Sequence, residues 1–200
     1  MPRLRGCSTI ISYSIQGAPI EFIHARPDAV VQLQAAHARF YGRVMKRLLL
    51  LAVTHALALG VGFALGTYTL PILIAPKAPS LAEVKSLSGA AEFTGEFRRD
   101  LKGSDFLHWG EGRVSVGRTA VSLAGKIAPG PDYKLYLSPE FVDTKEDFLK
   151  VKERSVRLGD VKTFENFIVR VPESVDPSRY NTVVVWCETF SMFISAAKYR

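Results

Sequence analysis

Between Leu48 and Ala75 the chain carries no charged side chain, and that run limits every other choice. Its stretch Leu48–Leu70 is 23 residues. As a helix it is about 35 Å long, enough to cross a hydrocarbon layer of about 30 Å with some tilt. Arg39, Arg43, Lys46 and Arg47 cluster before it, whereas Lys77 is soon followed by Glu83. The positive-inside rule then predicts a single-pass plasma (inner) membrane protein. Its N-terminus would be cytosolic and its C-terminal part periplasmic or extracellular. A cleaved signal peptide is the competing reading, with Ala56-Leu-Ala58 as a small-residue cleavage site. Cleavage there would leave Leu59-Gly-Val-Gly-Phe-Ala-Leu65 as an apolar new terminus, which argues for an uncleaved anchor.

Within the span, Ala58, Gly62 and Gly66 recur every fourth residue. Such a face permits close helix approach and is the candidate dimer contact. His55 has no acidic partner nearby and reads as a tolerated polar residue. Pro71, Pro76 and Pro79 are expected to end the helix and stiffen its exit. The resulting division is a cytosolic tail over 1–47, the span or signal anchor over 48–74, a linker over 75–90 and a folded domain over 91–200. In the tail, Pro27-Asp28 starts a short predicted helix capped by Asp28. Met45-Lys-Arg-Leu-Leu-Leu-Leu51 also reads as a natural beginning, so residues 1–44 have a second reading as sequence upstream of the true start.

The net charge of +7 suggests nucleic acid until it is divided along the chain. Residues 77–200 hold 19 basic and 17 acidic side chains, an excess of only +2. The surplus flanks the apolar run, so no nucleic-acid-binding face is indicated.

From Ala91 the pattern shifts to short alternating runs punctuated by turns. Phe93, Gly95 and Phe97 share one side of a strand. Gly112–Gly117 and Thr119–Ala124 read as a hairpin, and Pro129-Gly-Pro-Asp132 breaks the chain before Tyr133–Ser138. Tyr133, Leu135 and Leu137 should face inward. Phe141–Asp160, rich in charge, reads as a long exposed connection. Phe167, Val169 and Val171 share a face, and Thr189–Ala197 is the last predicted strand, with Met192 and Phe193 on opposite faces. Tyr180-Asn-Thr-Val-Val-Val-Trp-Cys187 is β-branched and apolar on both faces, as a central covered strand requires. The fold class predicted is all-β: an antiparallel β-sandwich or barrel-like domain of about 110 residues behind a single transmembrane helix.

These residues carry a resemblance. Gly95-Glu-Phe97, Leu107-His-Trp-Gly110 with Gly112, Pro129-Gly-Pro-Asp132 with Tyr136-Leu-Ser138, Asp176 through Tyr180, Val183-Val-Val-Trp-Cys187, Phe190 and Phe193-Ile-Ser-Ala-Ala197 fall in the order of the DM-thirteen domain. The chain resembles that family over roughly residues 90–200. The resemblance implies a fold similar to DOMON-type sandwiches and an electron-transfer role. It implies that the family's redox cysteine, acting as a bare thiol or as a ligand to a group such as haem, corresponds to Cys187. Membrane tethering by one N-terminal helix is common among the bacterial members it resembles.

The residues themselves weigh that role. Cys7 and Cys187 are the two cysteines, far apart and without a CxxC. Outside the membrane Cys187 has no partner in its domain, so it is either buried and inert or deliberately free. Alternation places it with Val183 and Val185, which favours burial, and Glu188 beside it disfavours the thiolate. Haem ligation would use His108 and Met192 as cofactor-binding residues with Cys187 as thiolate, and no C-x-x-C-H attachment motif is present. No metal site is predicted. Asp143, Glu146 and Asp147 read as surface charges, no G-x-S-x-G occurs, and Gly60-Val-Gly62 lies inside the span. Two functions follow. One is a tethered redox domain acting through Cys187 with a redox or protein partner. The alternative is a non-catalytic ligand- or protein-binding sandwich of the cell envelope with Cys187 as core filler.

Overall fold

The computed structural model describes residues 27–200, with side chains from Val31 onward. Cys7 lies outside the described residues. The chain divides into two compact units, Met1–Ala56 and Leu57–Arg200.

Helix α1 runs Pro27–Ile74 without interruption, 48 residues with Pro71 inside it. The expected short helix at Pro27 and the expected span are therefore one element. Pro71 does not stop it, so the break falls before Pro76 instead. Over Val31–Ile74 the most apolar window has a mean hydropathy of 2.2 and none of it is buried, so its leucines face outward. A second helix, α2 (Leu81–Ser88), is held by a capping box. The Ser80 N–H donates to Glu83 Oε2 at 2.7 Å and the Glu83 N–H donates to Ser80 Oγ at 3.3 Å. Its fully buried Val84 anchors it to the domain.

Eight strands follow: β1 (Phe93–Phe97), β2 (Gly110–Val116), β3 (Ala120–Ile127), β4 (Tyr133–Ser138), β5 (Val156–Val161), β6 (Glu165–Arg170), β7 (Thr182–Cys187) and β8 (Met192–Lys198). They form two antiparallel four-stranded sheets, ordered β1-β2-β3-β6 and β5-β4-β7-β8. The inward-facing residues of both sheets make one core, in which Val183, Val185 and Cys187 of β7 join Leu123, Leu135 and Phe167. This is sandwich packing. β7 is central in its sheet and every one of its residues is buried.

The domain is not all-β, and the reason lies in Phe141–Asp160. That stretch is not an exposed connection: it contains α3 (Lys145–Val151) and β5. Thr144 caps α3 by accepting the Asp147 N–H at 3.1 Å. Phe148 and Val151 then cover the outer face of β7, where they meet Val184, Trp186, Tyr136 and Phe193 in a second core. Trp186 is fully buried, its ring 5.0 Å from Phe148. Successive residues of one strand thus serve two cores, Trp186 under α3 and Cys187 between the sheets.

Candidate functional site

The Cys187 end of the sandwich is built by three connections. The turn from Cys187 to Met192 closes the β7–β8 hairpin, in which those two residues are direct cross-strand partners. Ser191 takes a positive φ of 46° there, and Glu188 to Ser191 form the turn, so β8 begins at Met192 and not at Thr189. Across the sheet, Tyr133 of β4 is the other direct neighbour of Cys187. The third connection precedes β2. There Asp105 Oδ1 accepts the N–H groups of Leu107 at 2.7 Å and His108 at 2.8 Å, an Asx-type turn that fixes the loop.

Together these place Cys187, His108 and Met192 on the wall of one apolar pocket of ≈600 Å³. Tyr133, Ile194, Phe190 and the Pro129–Pro131 turn complete the domain's share of the wall, and Phe63–Tyr68 of α1 close the other side. A smaller cleft of ≈200 Å³ near Pro76 holds Lys134 and Asp160 but no thiol.

Each donor has a defined setting. Cys187 has no disulfide partner among the described residues and is only 2 % exposed. Burial pushes its pKa up, the N–H groups of Phe190, Asp132 and Thr189 pull the other way, and the Asp132 charge adds to the rise. The net direction is upward, so the group is a neutral thiol at physiological pH and a poor nucleophile. The His108 ring nitrogen Nδ1 lies 2.8 Å from Asp105 Oδ2. A carboxylate only accepts, so Nδ1 is the nitrogen that donates to Asp105 and Nε2 is the one turned away from it. A carboxylate-oriented imidazole of this kind is the usual arrangement behind a metal-binding histidine. Burial raises the Asp105 pKa, but the bonds from His108 and the two N–H groups outweigh it and leave the carboxyl below its usual range. Met192 is half-buried and packs against the inter-sheet core. Among the described residues, no three His, Cys, Asp or Glu side chains converge as a metal-ion site.

Tyr133 lies along the floor, its ring edge-on to Phe164 at 6.1 Å. A methyl group on Gly130 would overlap the Tyr133 hydroxyl and the ring carbon that bears it. Gly130→Ala is therefore expected to displace Tyr133 and cost about 1–3 kcal/mol. Unfolding midpoints and the near-ultraviolet signal of the tyrosines check this, and an unchanged protein would refute the close packing.

Trp109 does not join the pocket; the Arg99 guanidinium stacks on it at 3.4 Å and pairs with Glu111 at 2.6 Å. Sequence reasoning missed Asp105, whose only signal was its place three residues before His108. It also missed the cluster on the opposite face of β7. There the Tyr136 hydroxyl donates to Glu188, whose other oxygen accepts from Lys152 Nζ at 2.7 Å. Burial raises the Glu188 pKa, but Lys152 and Tyr136 outweigh it and the net direction is down.

The fold and site define a β-sandwich carrying a thiol, an imidazole and a thioether on one apolar pocket. The Electron transfer DM13 family model matches residues 96–199, and the chain belongs to that family. No curated protein and no solved structure matches the chain.

Proposed function

We propose that this chain is a membrane-tethered, extracytoplasmic electron-transfer module whose redox group is held in the Cys187 pocket. Membership of an electron-transfer family gives the class of function. What supports the tether is the unburied apolar length of α1, with Arg39, Arg43, Lys46 and Arg47 on the side expected to remain cytosolic. The single observation that carries the site is the convergence of Cys187, His108 and Met192 on one apolar pocket, with His108 oriented by Asp105. A neutral thiol with no disulfide partner among the described residues is poorly suited to thiol exchange by itself. A bound group fits the donors better. Haem is the candidate: imidazole and thioether are among its ordinary axial ligands, and the pocket is apolar and within the usual size range of ligand sites. When bound, haem supplies a one-electron iron couple. His108 and Met192 would hold it, Asp105 would fix the imidazole, and the apolar walls would exclude water.

Titrating the full chain in detergent with haemin tests this. The expected result is a shifted Soret band that His108→Ala and Met192→Ala each abolish while the fold persists. An unshifted spectrum, or one indifferent to both substitutions, removes the haem reading.

The burial of Cys187 favours a second reading, a binding module with a structural cysteine. Under it, Cys187→Ala and Cys187→Ser cost about 1 kcal/mol and leave function intact. Under the redox reading, folded variants lose electron transfer.

A further inference from the structure

The wall of the Cys187 pocket includes Leu107 and Phe190, apolar side chains that stay partly uncovered, and Phe106 precedes Leu107 in the chain. Phe106 is 86 % exposed, Leu107 41 % and Phe190 46 %. The Asp105 carboxylate binds the N–H groups of Leu107 and His108 and braces the turn that carries Phe106. Leu107 and Phe190 belong to the pocket wall, and the same wall is completed by Phe63–Tyr68 of α1. Phe63 and Leu65 there are themselves exposed, and Tyr68 is the kind of residue that settles at a membrane–water boundary. The rim thus continues the apolar surface of the helix along the second half of its uncharged run.

From this continuity we infer that Phe106, Leu107 and Phe190 form a bilayer-contact surface that seats the pocket mouth in the outer membrane–water interface. Contiguous exposed apolar side chains framed by polar ones are the mark of such a surface. The inference rests on α1 spanning the membrane. Its consequence is that an apolar ligand passes between pocket and lipid without crossing water.

The test uses the full chain with Cys7→Ser, reconstituted in bilayers of zwitterionic lipid with and without acyl-chain spin-labelled lipid. An environment-sensitive dye is placed on a cysteine by Phe106→Cys or Phe190→Cys. Leu57→Cys reports the span, and Glu173→Cys reports the far end of the sandwich, beyond the Arg170 end of β6. Quenching at 106 and 190 is expected to exceed that at 173 by about twofold or more, as for side chains inserted at the interface. If 57 is quenched but 106 and 190 behave like 173, the span stands and the contact surface is overturned. If 57 is also unquenched, the span itself fails and the inference falls with it. Haemin binding in detergent is independent of both outcomes.

Discussion

Trp186→Ala is expected to cost about 3–5 kcal/mol, a large share of the 5–15 kcal/mol that holds a domain folded. The indole is fully buried and its ring lies 5.0 Å from that of Phe148, so its removal leaves a cavity beneath α3 that a short capped helix cannot fill. Trp186→Phe should cost far less. The indole Nε1 makes no close hydrogen bond, only a weak approach to the Glu188 carboxylate, and phenylalanine keeps most of the volume. Urea midpoints of the full chain in detergent give the comparison. Equal midpoints for Trp186→Ala and the parent chain would show that α3 does not depend on this ring.

The second large effect is in alkali. Burial raises the pKa of Tyr133, Tyr136 and Tyr199 far above the ordinary value near 10; the Glu188 carboxylate raises Tyr136 further. All three are buried, and the Tyr199 hydroxyl donates to the Pro177 carbonyl at 2.8 Å. Above about pH 10 the unfolded chain loses these protons while the folded chain keeps them, so the folded state binds more protons and stability falls as pH rises. Each tyrosine contributes about 1.4 kcal/mol per pH unit in that window, about 4 kcal/mol for the three together. The raised thiol of Cys187 acts in the same direction from about pH 8.5. The domain should therefore unfold one to two units above about pH 10, with phenolate absorbance and loss of near-ultraviolet ellipticity in one transition. Phenols that ionise near pH 10 without any change in ellipticity would contradict the packing of all three.

Much of this architecture was legible because strands write their burial in alternation. Val183, Val185 and Cys187 fall on one face by counting alone, and the structure places all three in the inter-sheet core. The hairpin of β2 and β3, the breaker at Pro129–Asp132 and the inward side of β4 followed from the same logic. Helix α3 was hidden because seven residues give less than two full turns, and its only apolar signal is Phe148, Leu149 and Val151 among charges. The Tyr136–Glu188–Lys152 cluster was hidden for another reason. Its members are 52 and 36 residues apart, and only tertiary pairing brings them together. For the site, Cys187 and Met192 meet only across the β7–β8 turn, which a strand drawn from Thr189 conceals, and His108 reaches them through a loop whose shape Asp105 dictates.

Between β7 and β8 the register slips once: Val185 pairs with Ser195 and Trp186 with Phe193, leaving Ile194 as an extra residue. Ile194 faces the inter-sheet core, while Ser195 lies against the Gly110 backbone of the opposite sheet. Both point to the same side of β8, so the pairs on either side of the bulge, Val185 with Ser195 and Trp186 with Phe193, keep matched faces. Alternation alone lets β8 serve two surfaces at once, and the extra residue adds Ile194 beside Ser195 on the side where the two sheets meet.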